Sequence, residues 1–403
     1  MLVLIKKVIN GFIYKLSPIK ANRIVFSSLE GQYSDSPKAI SESFHNMHPN
    51  FQIVWLLKKE NFKKAPEYVT AIDINSILSH YYSGSAKIVI DNVYAENAIT
   101  IFDNNIKAAL KAKVHLWFHR KKKQLIFSTW HGTPIKKLGI DQVNNHITDF
   151  CCNKITMILG DQYTLDIMRR ITFNRMEMQL IGTARNDILF KKEYAQSIKK
   201  KLGLQGKKIV LFAPTFRGSG LQFSDRDIEK SGLDQINSID FDELFRVLSE
   251  KFGGEWVFVC RFHYHVAEKV DWGKIQAQYN GQVINGNILQ DMADYLSCAD
   301  ILVSDVSSCM FDFALTQKPC FTFFLDKEYY ENSERGLYIN LEDLPFPFAE
   351  NYDELLSNIK DFDNSTYKAK LSANREVFGF VDEGNSAEKI INFILDRLKE
   401  EEF

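Results

Sequence analysis

Short apolar runs of strand length recur along the chain, each followed by residues at helical spacing, and this alternation constrains the fold more than any other feature. RIVFSS (23–28), QIVWLL (52–57), AKIVID (86–91) and QLIFSTW (124–130) are largely continuous apolar runs, the pattern of parallel strands buried on both faces. MILG (157–160) and MQLIG (178–182) continue the rhythm, and Pro37 to His45 reads as a helix behind a Ser-Asp-Ser cap region. A lysine-rich stretch from Lys191 to Lys208 then leads into a second series: KIVLFAPTF (208–216), WVFVCRFH (256–263), GQVING (281–286), DILVSDVS (300–307) and PCFTFFL (319–325). Alternation in both halves predicts an α/β protein of two doubly wound (Rossmann-like) domains facing a central cleft. The length of 403 residues exceeds one ordinary core and suits two. The expected organisation is an amphipathic N-terminal segment at 1–20, a first α/β domain at 21–195 and a second at 196–403. The polar segment Gly218–Ile239 reads as a loop between strands.

With 45% apolar and 25% charged residues and a net charge of −1, the composition is that of a globular protein, and nothing in it calls for nucleic acid. None of the six cysteines forms a C-x-x-C pair or a zinc-like spacing with histidine, so reduced core thiols are expected. No apolar run is long enough to cross a membrane. In the N-terminal stretch, Leu2, Ile5, Ile9, Phe12, Ile13 and Leu16 fall near helical spacing with Lys6, Lys7 and Lys15 between them. An interfacial membrane helix and a helix packed on the protein body both fit that pattern.

In doubly wound folds ligands bind beyond the carboxyl ends of the strands. Five clusters stand at such ends. In STWHGTP, a small-residue turn follows the strand, Pro134 suits a first helical position, and His131 is placed to take a hydroxyl proton near neutral pH or to bond the turn backbone; Gly132 and Thr133 support it. In GTARND (182–187), Asn186 or Asp187 suits a cap for the next helix, and Arg185 suits a phosphate clamp. Arg217 leaves APTFR as either a phosphate contact or a solvated loop residue. If the strand persists through RFHYH, Arg261, His263 and His265 share one face, which a polar cleft explains better than an apolar core. Ser304-Asp305-Val306-Ser307-Ser308 reads as strand, turn and helix start, with Ser307 or Ser308 capping and the N–H groups available to phosphate.

These clusters, in this order, resemble the CDP-glycerol glycerophosphotransferase family of teichoic-acid enzymes. The likeness rests on SLEGQYSDSPKAI, WHGTPIKKLGID, GTARND, LFAPTFR, RFH, DVSSCMFDFALTQKP and FVDEGNSAEKIINFI, and runs from about Phe26 to Leu395. Ala184 and Phe216 depart from the usual proline and tryptophan. The resemblance implies a GT-B-like fold, a CDP-polyol donor with CDP-glycerol first, and a lipid-linked or glycan acceptor. It also implies important roles for His131 and His263, with Arg261, Asp305, Ser307 and Ser308 around the donor phosphates. The expected reaction is attack of an acceptor hydroxyl on the polyol-bearing phosphorus, with His131 as general base and CMP leaving. No cofactor is expected, and no residue is assigned to a metal, whose involvement stays open. A nucleotide-sugar glycosyltransferase and a ribitol phosphate transferase are the alternative readings.

From Lys107 to Lys123 seven Lys/Arg residues occur without an acid, interrupted by His115, Leu116, Trp117, Phe118 and His119. Basic residues beside aromatics suit an anionic bilayer surface, so a peripheral place on the cytoplasmic face of the cell membrane is expected.

Overall fold

The computed structural model describes residues 2–93, 98–102, 106–142, 147–215, 233–262, 264–268, 270–328 and 336–400. The chain divides into two compact units. One comprises Met1–His131, Gly139–Asp187 and Gly379–Phe403; the other comprises Gly132–Leu138 and Ile188–Phe378. A single cut at 195 therefore does not describe the path, because the C-terminal stretch returns to the first unit. The reason is apolar: Ile390, Ile391 and Ile394 of the helix Ser386–Glu400 are fully buried in the same core as Ile24, Phe44 and Trp55.

The strands of the first unit are β1 (Lys20–Ser27), β2 (Gln52–Leu57), β3 (Thr70–Asp73), β4 (Ala86–Asp91), β5 (Ala98–Phe102), β6 (Leu125–Ser128), β7 (Ile147–Cys152), β8 (Thr156–Leu159) and β9 (Glu177–Leu180). Seven of them pair in parallel in the order β3-β2-β1-β4-β6-β8-β9, while β5 and β7 form a separate antiparallel pair. In the second unit β10 (Lys208–Ala213), β11 (Trp256–Cys260), β12 (Val283–Asn285), β13 (Ile301–Ser304), β14 (Cys320–Phe323) and β15 (Phe348–Ala349) pair in parallel in the order β12-β11-β10-β13-β14-β15. Both sheets thus reverse direction beside their first strand, between β1 and β4 and between β10 and β13. Such a reversal sends the following connections to opposite faces and opens a crevice at the carboxyl edge.

The N-terminal residues form helix α1 (Leu2–Leu16). Helix α2 (Asp35–Met47) follows β1, helix α3 (Ile77–Ser85) precedes β4, and helix α4 (Ile106–His119) carries much of the basic run. Helix α1 packs on the first unit with one side and leaves apolar residues exposed on the other. Its inner side packs on the first unit: Tyr14 is buried and donates to the Gln124 carboxamide at 2.5 Å, and a side chain at Gly84 would run into the Tyr14 backbone. Its outer side leaves Ile9 and Leu16 exposed, and α4 likewise exposes Leu110, Val114 and Trp117. Lys15 joins the two helices by donating to the carbonyls of Trp117 (2.9 Å) and Arg120 (2.7 Å), capping the end of α4. Among the described residues no helix is long and apolar enough to cross a membrane.

Candidate active site

The crevice position in the first unit is organised by Asn92, the residue after β4. Its carboxamide donates to the Ser28 hydroxyl at 3.2 Å and accepts from the Leu29 N–H at 3.1 Å, tying the end of β4 to the turn after β1. The Thr129 N–H bonds the Asp91 carbonyl at 2.8 Å and attaches the β6 turn to the same place. His131 follows, with Nδ1 lying 3.1 Å from the Asn92 carbonyl. A carbonyl only accepts, so Nδ1 carries the hydrogen and the neutral ring keeps its lone pair on Nε2.

The backbone around His131 is strained. Trp130 has a φ of +52° and Gly132 one of +140°. A left-handed tryptophan costs about 1–3 kcal/mol, a strain that concentrates at functional sites. The Trp130 ring lies 3.9 Å, centroid to centroid, from the imidazole. The histidine has an exposed face, yet surrounding protein disfavours its charge and lowers its pKa; the Asn92 carbonyl and Asp35 pull upward, and Arg185 adds to the lowering. No helix begins at Pro134. Residues 132–138 form neither a helix nor a named strand and are held by Lys137 N–H to Gly336 O (2.9 Å), Tyr338 N–H to Ile135 O (2.8 Å) and the bridge from Lys136 to Leu337 within the second unit. His131 is therefore positioned by a turn and a carbonyl, not by a helix end.

The turn Gly182–Asp187 also differs from its sequence reading. Asp187 caps no neighbouring helix; it accepts the N–H groups of Ser386 and Ala387, each at 2.8 Å, and so caps the C-terminal helix. Gly182 has a φ of +133°, and a side chain there would strike Ser386. Asn186 is buried within the turn, its N–H on the Thr183 carbonyl at 2.9 Å. Arg185 is buried and pairs through Nη1 with Asp35 at 3.0 Å, while its backbone N–H reaches the Ser36 hydroxyl at 3.3 Å. The Arg185 pair holds Asp35 below the usual carboxylate range against the opposing effect of burial.

In the second unit, Asp305 is fully buried and accepts the Thr215 N–H at 2.8 Å and the Val306 N–H at 2.6 Å. Ser304 donates to the Ala213 carbonyl at 2.6 Å. The ends of β10 and β13 are thus locked together, and Asp305 meets backbone amides there. Ser307 accepts weakly from the Cys309 N–H at 3.4 Å, and Ser308 makes no capping bond with its hydroxyl; both are half-buried. Arg261 donates to the carbonyls of Gly286 (3.3 Å), Leu289 (2.9 Å) and Gln290 (2.7 Å), and its guanidinium lies over the Tyr295 ring. The strand ends at Cys260 and Tyr264–Ala267 is helical, so the two-residue alternation expected to align Arg261, His263 and His265 does not extend to them. His263 and Arg217 lie outside the described residues.

Three residues stood out only in the structure. Asn92 follows a strand directly, a position that could have drawn notice. Asp35 lies in SLEGQYSDSPKAI without any sign of its left-handed backbone. Asn287 accepts the Phe262 N–H (3.2 Å) and donates to the Phe262 carbonyl (2.7 Å), fixing the Phe262 backbone from a distant loop. Among the described residues no group of His, Cys, Asp and Glu is arranged to hold a metal ion.

Comparison with known proteins decides the family. The family described as CDP-Glycerol:Poly(glycerophosphate) glycerophosphotransferase matches residues 10–396. The chain belongs to this family. The teichoic acid poly(glycerol phosphate) polymerase of Staphylococcus epidermidis is 28% identical over 95% of this chain and 52% of its own length. The Bacillus subtilis protein of the same name is 27% identical over 94% of this chain and 49% of its own length. The chain spans about half the length of these two relatives. The teichoic acid glycerol-phosphate transferase of Staphylococcus aureus is 26% identical over 97% of this chain and 98% of its own. Among solved structures, the wall teichoic acid polymerase TagF superposes with a TM-score of 0.76 at 25% identity, covering 100% of this chain and 96% of that one. The family member described here therefore has the two-domain, parallel-sheet, GT-B-like fold expected of it.

Proposed function

We propose that this protein transfers glycerol phosphate from CDP-glycerol to a lipid-linked or glycan acceptor in the synthesis of a teichoic-acid or capsule-like polymer. The acceptor hydroxyl oxygen forms a bond to the glycerol-bearing phosphorus, the phosphoanhydride bond to CMP breaks, and the hydroxyl proton passes to Nε2 of His131. The observation that carries this reading is the Asn92 carbonyl on Nδ1, which leaves Nε2 as the basic atom of a ring at the carboxyl edge of the first sheet. The lowered pKa supports it, because the ring is then neutral and ready to accept a proton near pH 7. Family membership supports the donor, and a TagF variant soaked with CDPG is among the similar solved structures.

On the donor side we assign the Ser307 and Ser308 hydroxyls to the diphosphate, with Arg217 and His263 as candidates from the sequence alone. Arg261 and Asp305 serve it indirectly, through the 286–290 loop and the end of β10. The test is incubation with a panel of CDP-polyols and nucleotide sugars, with mass spectrometry of the products. CMP release and a glycerol phosphate adduct are expected; a ribitol adduct reassigns the donor, and UDP or GDP release with sugar transfer overturns the reading.

The acceptor reading carries a location, the cytoplasmic face of the membrane. It is supported by the exposed apolar side of α1 and α4, with Lys6, Lys7, Lys111 and Lys113 exposed on the same helices.

A further inference from the structure

We infer that Asp91 is a positioning residue for His131, acting through the peptide unit between Asn92 and Val93. The inference rests on His131 being the base, and it names a buried side chain that reading does not use.

A trans peptide unit is planar and presents its C=O and its N–H in opposite directions. In the unit that follows Asn92 both ends are engaged. The carbonyl lies 3.1 Å from Nδ1 of His131, and the Val93 N–H donates to Oδ1 of Asp91 at 3.2 Å. The carboxylate therefore sets the rotation of the plane from one end, and the imidazole meets the result at the other. An aspartate that closes a turn on the N–H two residues on is a common local arrangement. This one differs in what the same peptide carries on its far side.

Asp91 also holds the segment that bears the base. It is the last residue of β4, and its own carbonyl accepts the Thr129 N–H at 2.8 Å and the Thr129 hydroxyl at 3.3 Å. Thr129 stands two residues before His131. Asp91 thus grips the chain of the base with its backbone, and orients the carbonyl that meets the base with its side chain. The Asn92 carboxamide, bonded to Ser28 and Leu29, fixes the near side of the same peptide. The Trp130 ring, 3.9 Å from the imidazole between centroids, confines the ring. These contacts place the histidine but leave its tautomer to the carbonyl. A neutral imidazole carries its hydrogen on either nitrogen, and the bond made by one nitrogen selects which. A carbonyl turned onto Nδ1 selects Nδ1–H and leaves Nε2 to take the acceptor proton. If the plane rotates, that selection is lost while the histidine stays in place.

The ring tautomer is a readout that a purely structural aspartate would not move. It is followed by nitrogen-edited NMR on the full chain at about pH 8, above the ordinary histidine value of about 6.5, beside steady-state CMP release. The parent should carry the His131 hydrogen on Nδ1. Asp91→Ala removes the acceptor for Val93 and should give a mixture of both tautomers, with kcat lower by about tenfold or more and the KM for CDP-glycerol little changed. Asp91→Asn keeps an acceptor oxygen in the same place, so it should keep the parent tautomer and recover most of kcat. Asp91→Val fills the space with a side chain suited to a strand end, and it reports the same loss if the alanine variant folds poorly. A parent ring protonated on Nε2 overturns the inference, as do alanine or valine variants that keep the parent tautomer. An asparagine variant with the mixed tautomers of the alanine variant overturns it too. If His131→Ala leaves turnover intact, the base assignment fails instead, and the tautomer still decides whether Asp91 sets the ring.

Discussion

Asp187 accepts the backbone N–H of Ser386, a residue nearly two hundred positions later, and with it the N–H of Ala387. The buried carboxylate thereby closes the first turn of the C-terminal helix against the turn that carries Arg185. Asp187→Ala leaves two buried donors unpaired at a helix start, at a cost of about 1–3 kcal/mol. The melting temperature should fall by several degrees, with Asp187→Asn intermediate because it keeps one acceptor oxygen. An unchanged melting temperature for the alanine variant would remove the helix cap from the account.

His131→Ala should lower turnover by about two to four orders of magnitude while leaving the fold intact, the usual range for a lost acid–base group. The sign of the pH dependence follows from the lowered pKa. With His131 as the base the deprotonated ring is the active form, so turnover rises with pH through the His131 pKa, with its midpoint below the ordinary histidine value of about 6.5. Steady-state rates across pH 4.5–8, a range chosen about that value, check it. An acid limb that persists unchanged in His131→Ala belongs to another group.

The residues proposed for the donor side divide by what they touch. Arg261 binds three carbonyls of one loop, so Arg261→Ala should loosen residues 286–290 and weaken CDP-glycerol binding together. Arg261→Lys should not restore either, because a compact ammonium cannot span those acceptors as a planar fork does. Ser307→Ala with Ser308→Ala should weaken donor binding with little change in stability. Calorimetry for the donor and hydrogen exchange for the loop distinguish the two cases. Donor affinity lost in Arg261→Ala without loop exchange would mean direct phosphate contact.

Much of the fold was legible because parallel strands buried on both faces leave continuous apolar runs. QIVWLL and AKIVID coincide with β2 and β4 residue for residue. Thr70–Asp73 left no such run, since its residues are only half-buried, and Phe348–Ala349 is too short to leave one. The candidate site residues were visible by their place after strands, but their partners were not. Arg261 is bound to the carbonyls of a remote loop and Asp305 to the amide of remote Thr215 as well as that of Val306, and backbone atoms have no signature in sequence. The alternation argument for RFHYH assumed a strand that stops at Cys260. Asp35 was hidden for a related reason: its left-handed backbone and its pairing with Arg185, 150 residues away, leave no mark in a single sequence.

The membrane prediction now has to respect the packing of α1. Deleting the helix would empty the site of Tyr14 and break its bond to Gln124, so loss of binding in such a variant would say nothing about lipid. Point changes on the outer side avoid this. Ile9, Leu16 and Trp117 are 47%, 76% and 55% exposed, and replacing them with serine should preserve the melting temperature. Binding that scales with buried apolar area should then drop sharply. Lys6, Lys7, Lys111 and Lys113 are exposed on the same two helices, and each basic residue near an anionic surface adds about 1 kcal/mol. Changing these four to glutamine should reduce binding to anionic vesicles and flatten its dependence on salt. Lys121 is left out of that set, because it donates to the Ser17 carbonyl and burial beside Lys15 brings its pKa down to about 8. Sedimentation with anionic and neutral vesicles, run side by side at two salt concentrations, measures both effects. Equal binding of the parent protein to the two vesicle types, or binding untouched by the serine changes, would show that this side of α1 and α4 does not meet the bilayer.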